Sequence, residues 1–236
     1  MTEPVILYED NQIVVAVKPQ NVPTQADSSG DADFLNIIKE YIKVKYNKAG
    51  NAFIGLVHRL DRPTGGIMVF ARNSKSAERL CKQVSEGEMD KRYLAVTVGT
   101  PRDRRAKLVD WLLKNEKENI VTIAPAKVEG AKYAELDYRV LEETDKLALL
   151  DINLYTGRSH QIRAQLANIG TPVFGDAKYG GDAPYKGYNL ALWAYSLSFT
   201  HPTTKTPMVF KVFPPLENVP WKHFQVEKYI NTVKPE

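Results

Sequence analysis

The stretch from Gly55 to Ala71, Gly-Leu-Val-His-Arg-Leu-Asp-Arg-Pro-Thr-Gly-Gly-Ile-Met-Val-Phe-Ala, constrains the fold of this chain more than any other. It opens with small and apolar residues in the manner of a strand, and the run Ile67 to Ala71 resumes a buried strand. Between them, Pro63 and the pair Gly65-Gly66 force a turn. Asp61 is therefore expected at a tight bend between two apolar segments, set between the guanidinium groups of Arg59 and Arg62. Loops held by a rigid scaffold commonly carry working residues. An Asp beside two Arg residues is nonetheless more often a structural ion pair, so this stretch alone does not make Asp61 a catalyst.

With 236 residues, the chain has room for one large domain or two lobes sharing a cleft. No apolar run approaches the roughly 20 residues needed to cross a bilayer. The start, Met1-Thr2-Glu3-Pro4, lacks the basic and apolar regions of a signal peptide, so a cytoplasmic location and no membrane partner are expected. One cysteine, Cys81, excludes an internal disulfide and a thiolate metal cluster. It falls in the helical run Lys75 to Val84, where a buried small hydrophobe is a better expectation than a nucleophile. His58, His160, His201 and His223 show no paired ligand spacing, which argues against zinc. A formal charge of +4 permits a nucleic-acid partner without demanding one.

Val5 to Tyr8 and Ile13 to Val17 read as two strands joined by a turn, and Lys18-Pro19-Gln20-Asn21-Val22-Pro23 as a loop. Asp33 can cap a helix carrying Phe34, Leu35, Ile37, Ile38, Tyr41 and Ile42. Lys39, Lys43, Lys45 and Lys48 decorate that helix or its end, as a solvated face or, second, as a phosphate-contacting patch. Ser74 to Val84 is expected as a helix and Arg92 to Val98 as a strand. Arg102 to Lys107 is either an RNA-facing loop or a solvated turn. Further strands are expected within 111–122 and 132–141, and an apolar, central one over 146–154. Ser159 is placed to cap a short helix over 160–168 that Gly170 ends. Strands over 191–199 and 207–212 and a closing helix over 221–233 complete the chain. Strands dominate and helices interrupt them irregularly, which argues α+β with a mixed, mostly antiparallel sheet.

Several motifs together resemble the RluA family of RNA pseudouridine synthases. His58-Arg59-Leu60-Asp61-Arg62 resembles the family's catalytic motif, and Lys91-Arg92-Tyr93-Leu94-Ala95 its Tyr-bearing strand. Gly157-Arg158-Ser159-His160-Gln161-Ile162-Arg163 matches its third motif, with Gly175-Asp176 and Tyr179-Gly180 following. Val17-Lys18-Pro19 and Ser196-Leu197-Ser198-Phe199-Thr200-His201-Pro202 also fit, so the resemblance spans nearly the whole chain. Two positions depart from it. Thr64-Gly65-Gly66 stands where many relatives have Thr-Ser-Gly, and Asn21 where many have Gly, although Asn also tolerates positive φ. The small S4-like RNA-binding domain of many relatives is not expected, because the catalytic fold begins at the N-terminus.

The resemblance implies a pseudouridine synthase fold, with residues 1–236 as a single catalytic domain whose two lobes flank a central cleft. It implies isomerisation of uridine to pseudouridine in ribosomal or transfer RNA, by a monomer, without cofactor or metal. Asp61 becomes the nucleophile or sugar-activating carboxylate, Arg163 its ionic partner, and Tyr93 the ring that stacks on the flipped base. Arg59 helps displace the base, and Arg158 contacts phosphate. The remaining RNA-contacting candidates are Arg62, His160, Lys18, Arg104 and Arg105, although a histidine at a helix start is more often a structural hydrogen-bond partner. Two other functions compete with this one. An RNA-binding protein of the same fold without catalysis is disfavoured because Asp61, Tyr93 and Arg163 are all present. An Asp-nucleophile hydrolase would want a second carboxylate that is not evident.

Overall fold

The computed structural model describes residues 3–47, 50, 52–126, 128–181, 185 and 187–232. Met1, Thr2, Lys48 and Val233, which figured in the expectations above, lie outside the described residues. The elements follow in the order β1 (Val5–Glu9), β2 (Ile13–Lys18), α1 (Phe34–Lys45), β3 (Gly55–Leu56), β4 (Gly65–Ala71), α2 (Ser74–Glu86) and β5 (Asp90–Val98). Then come β6 (Arg105–Asn115), β7 (Ile120–Ala124), β8 (Lys132–Glu143), β9 (Leu147–Leu154), α3 (Gln161–Asn168), β10 (Leu192–Thr200), β11 (Pro207–Lys211) and α4 (Val226–Thr232). The strands make a mixed, mostly antiparallel sheet and the helices are few, so the chain is α+β. It divides into two compact units, Met1–Asp90 with Ser196–Val212, and Lys91–Tyr195 with Phe213–Glu236.

In the first unit β2 lies between β1 and β4, antiparallel to both, and β3 pairs with β4 through Gly55↔Ala71 and Leu56↔Phe70. The β1–β2 turn is tied by Asp10, whose Oδ1 accepts from the amides of Gln12 and Ile13 at 2.7 and 2.9 Å. Strand alternation sorts the core onto two faces. Ile13, Val15, Ile67 and Val69 pack with Leu80 of α2 and with Leu197 and Phe199. On the other face Phe70 meets Phe34 of α1 edge-on at 5.7 Å. Both helices start where a side chain can accept from a free amide: Asp33 Oδ1 from Asn36 at 3.1 Å and Asn73 Oδ1 from Ser76 at 2.9 Å. Asn21 does adopt positive φ, at 64°.

In the second unit the order is β5-β9-β8-β6-β7, each antiparallel to its neighbours. Strand β9, flanked on both edges, is buried at every position but Asn153, as its apolar run predicts. Along β8 burial alternates: Ala134, Leu136 and Tyr138 are buried while Glu135, Asp137 and Arg139 are partly exposed. The buried set faces α3, where Ala134 packs with Ala164 and Gln165 Nε2 donates to Asp110 Oδ2 at 2.6 Å.

Four expectations change. Residues 111–122 hold a hairpin, the end of β6 and the start of β7, because Asn115 Oδ1 accepts from the amides of Lys117 and Glu118 and turns the chain. The basic cluster 102–107 is only half a loop, since Arg105 to Lys107 are ladder residues paired with β8. The closing helix breaks in two, a 3₁₀ turn at Trp221–His223 and α4, with Phe224 extended between them (φ −128°, ψ 153°). Cys81 is exposed: α2 turns Leu80 inward, and the residue beside it on the helical wheel faces outward.

Candidate active site

In the first unit, Asp61 occupies the connection between β3 and β4. The connection is held from beneath by polar groups that never reach its surface. Leu60 is pinned at both backbone atoms by Thr24: its amide donates to Thr24 Oγ1 at 3.2 Å, and that hydroxyl donates to its carbonyl at 2.7 Å. The Thr64 amide donates back to the Asp61 carbonyl at 3.0 Å, closing the turn. Gly66 then leaves at φ 125°, which a side chain would strain. His58 Nε2 accepts from the Val69 amide at 3.2 Å. The carboxylate of Asp61 is half-buried, while Arg59 is exposed.

Lys18 is the foundation of this loop. It was expected to face RNA, but it is fully buried, and its ammonium donates to the carbonyls of Pro19, Val22 and Arg62 at 2.9, 2.7 and 3.0 Å. The reason is its place at the end of an apolar strand, with carbonyls gathered around it by a proline-rich loop. Burial pushes the ammonium pKa down to about 7, against the charge of Asp61, which pulls it up, and with Arg62, which adds to the fall. The three carbonyl acceptors oppose the fall as well, because only the charged amine fills all three.

Arg62 likewise departs from expectation. Its guanidinium clamps the loop 27–31, with Nη2 at 2.9 Å from Asp27 Oδ2 and Nη1 at 2.6 Å from Asp31 Oδ2. Ser29 and then Arg62 hold the Asp27 carboxyl down at about 2. Both acids lie more than 30 residues before Arg62, so nothing in its local spacing identified them.

In the second unit, Tyr93 lies on β5 and is buried. The register Tyr93↔Ile152 on β9 and Ile152↔Tyr138 on β8 puts its ring on the face that carries α3. Arg163 projects from α3 and is held bidentately by Asp176, both contacts at 2.7 Å. Burial alone raises the Asp176 carboxyl, but the bonds and charge of Arg163 and the amides of Tyr179 and Lys178 outweigh it, and the pKa is lowered. Gly175, at φ 74°, lets this acid approach: a Cβ there would stand 2.5 Å from the Asn189 carbonyl oxygen. Asp176 is thus a buried partner of Arg163 that the sequence showed only as part of a motif.

The turn before α3 is fixed by Gln161. Its Oε1 accepts from the Arg158 amide at 3.1 Å and from Thr156 Oγ1 at 2.8 Å, and its Nε2 donates to the Glu135 carbonyl. Position 160, not Ser159, is the cap residue of α3, in left-handed backbone at φ 51° and without a side-chain cap bond. The imidazole of His160 is buried and bonds Tyr179 Oη at 2.9 Å. This is the structural role that a helix-start histidine usually has. Arg158 is exposed, with Nε donating to the Tyr133 carbonyl at 2.8 Å. Arg104 is exposed and paired with Glu143 at 2.6 Å. Arg105, paired in register with Arg139, projects on the face of the sheet opposite Tyr93, so it does not share one basic surface with that ring. Among the described residues no group of three or more His, Cys, Asp or Glu could hold a metal, and no helix is long and apolar enough to cross a membrane.

This architecture is shared by solved structures. The human RNA pseudouridylate synthase domain containing 4 superposes with a TM-score of 0.76 at 23% identity, over 89% of this chain and 88% of that one. The human domain-containing 1 protein does so with a TM-score of 0.73 at 22% identity, over 90% and 84%. The class is therefore an α+β protein of the pseudouridine synthase fold. The family model for RNA pseudouridylate synthase matches residues 12–168, a span that holds Asp61, Tyr93 and Arg163. An uncharacterized RNA pseudouridine synthase of Aquifex aeolicus is 32% identical over 89% of this chain and 69% of its own length. Ribosomal large subunit pseudouridine synthase C of Rickettsia bellii is 34% identical over 80% of this chain and 61% of its own. The chain belongs to the RNA pseudouridylate synthase family, and it spans less than two thirds of the length of several curated relatives that it matches.

Proposed function

We propose that this chain isomerises specific uridines to pseudouridine in structured RNA, ribosomal or transfer, through Asp61 and without a cofactor. The observation that carries the reading is the Asp61 loop. In a family member, a half-buried carboxylate stands on a turn whose backbone is anchored from beneath by Thr24 and Lys18. Such anchoring aims a reactive group before substrate arrives, and most catalytic advantage comes from interactions that need no rearrangement at the moment of reaction.

In the reaction the glycosidic C–N bond breaks, the uracil turns, and a C–C bond forms to the same sugar carbon. A proton then leaves the base carbon for the vacated nitrogen, so atoms and charge balance with nothing added. Asp61, as carboxylate, serves as the nucleophile or the group that activates the sugar. Arg163, held in one orientation by Asp176, is the guanidinium of the catalytic set. Tyr93 stacks on the flipped base and receives or relays the carbon-bound proton. Arg59, exposed beside Asp61, supports the opened stack or a phosphate, and Arg158 and Arg104 contact phosphates. Extruding the base costs a few kcal/mol and least in a loop, which favours a stem-loop substrate. The names of the curated relatives support ribosomal RNA first.

The test is incubation of the purified chain with 5-tritiated uridine RNA, using ribosomal RNA, transfer RNA and an isolated stem-loop as separate substrates. Tritium release with no change in RNA mass is expected. No release from any of the three would defeat the proposal.

A further inference from the structure

The face of the second unit's sheet opposite Tyr93, buried along β5 and β9 but at least partly exposed along β8 and β6, carries a chemistry that the reaction above does not use. Counting register from Tyr93, the residues on the opposite face are Arg92 of β5, Asp151 of β9, Asp137 and Arg139 of β8, and Arg105 and Lys107 of β6. They line one cavity of about 410 Å³, within the range of small-ligand sites. Its floor is Asp151, buried, which takes Arg92 Nη2 at 2.6 Å, Arg139 Nη2 at 3.3 Å and Tyr195 Oη at 2.9 Å. The internal pairing does not exhaust the donors. Arg92 Nε is buried without a hydrogen-bond partner, and among the described residues Arg105 has no carboxylate partner. Two guanidinium groups held in place by Asp151, next to a third with no carboxylate partner, suit a phosphate better than any neutral group.

Aromatic rings border the cavity. Tyr155 is 46% exposed. Its hydroxyl bonds Asp137 Oδ2 at 2.5 Å, and the ammonium of Lys107 sits 5.2 Å from its ring centre. Farther along the same face Tyr133 is 38% exposed and meets Trp111 edge-on at 6.1 Å. Four cations (Arg92, Arg105, Lys107, Arg139) against three carboxylates (Asp137, Asp151, Glu135) give a small positive excess. A free nucleotide or inorganic anion would therefore be held weakly, whereas a strand adds stacking at each base. Strand-borne aromatics interleaved with basic side chains on an open sheet face are a common means of holding unstacked RNA bases.

We propose that this face is a second RNA-contacting surface, which holds a single-stranded segment of the substrate outside the reacting loop, a phosphate against Arg105 and Arg92 and a base over Tyr155. The proposal rests on the reading of RNA as substrate. A fluorescent octamer of adenylate tests it, since it contains no uridine to react. Binding is followed by anisotropy for the wild-type chain, Arg105→Glu and Tyr155→Ala, across a salt series, with adenosine monophosphate and inorganic phosphate as competitors. Arg105→Glu is expected to weaken the octamer by about ten-fold and to flatten the salt slope by about 0.7. Tyr155→Ala is expected to weaken it by about five-fold. Both side chains are exposed, so both variants should melt with the wild type. If Arg105→Glu fails to fold, Arg105→Ala carries the same test with an expected loss of about three-fold. Equal octamer affinity in all proteins would overturn the proposal, as would competition by phosphate or monophosphate at the octamer's own concentration. A chain that forms pseudouridine but shows that equality loses only this inference. A chain that binds the octamer through this face but modifies no RNA loses only the proposed reaction.

Discussion

Asp61 and the residues beneath it show how a single position can be legible while its support is not. The motif around Asp61 identified the carboxylate, and the turn chemistry of Pro63 and Gly66 placed it at a bend. The support came from Lys18, 44 residues from the Arg62 carbonyl it binds, and no local pattern marks a lysine as buried. A lysine directly after five apolar strand residues and before a proline was the available signal. Replacing Lys18 by Met keeps the length and removes every donor, orphaning the carbonyls of Pro19, Val22 and Arg62. Each orphaned buried group costs about 1–3 kcal/mol, so thermal unfolding should fall by several degrees and kcat should drop more than KM rises. An unchanged melting temperature with unchanged kcat would show that the loop holds itself. Tyr93 separates by its two parts. Tyr93→Phe keeps the ring and loses the hydroxyl. If the hydroxyl handles the proton, this variant should bind RNA and stall before product, whereas Tyr93→Ala should lose both activities. Full activity in Tyr93→Ala would remove Tyr93 from the site.

At the scale of elements, β2, β4, β9 and both long helices were readable because each is an unbroken pattern with punctuation at its ends. Asp33 at the start of α1 and the Pro-Gly-Gly corner before β4 are examples. The hairpin between β6 and β7 was not, because Asn115 to Asn119 contain no Gly or Pro and the turn depends on one Asn side chain. Helix α3 was legible, but its ionic partner was not: Asp176 lies 13 residues beyond Arg163, in a loop whose path follows from Gly175. That pair carries a pH signature. A carboxyl held below its ordinary 3.8 adds stability that is complete above that value and is lost as pH falls through the lower folded-state value. Asp176→Asn leaves a buried guanidinium uncompensated and should cost about 3–5 kcal/mol at neutral pH. Denaturant unfolding of the two proteins should show that gap narrowing below about pH 4. A gap that stays constant down to about pH 2 would mean that Asp176 is not the ionised partner of Arg163.

For the whole molecule, a net charge of +4 is too small to select RNA by itself, so recognition has to come from particular side chains rather than from a general field. Composition consequently gave no more than permission for a nucleic-acid partner. The fold class followed from the irregular mixture of strands and helices, and the family from motifs spread over both units. Which side chains face solvent needed the register: Arg105 and Tyr93 belong to one sheet but lie on opposite faces, a distinction that rests on strand pairing across β5, β9, β8 and β6. The central claim is that one carboxylate carries the isomerisation, and Asp61→Asn tests it most directly, since the amide keeps the shape and removes the charge. Pseudouridine is counted in ribosomal and stem-loop RNA after equal incubation with wild type and variant, alongside RNA binding and thermal unfolding. The expected result is no detectable product from the variant, with binding and unfolding temperature close to wild type. Appreciable pseudouridine made by Asp61→Asn would contradict the claim.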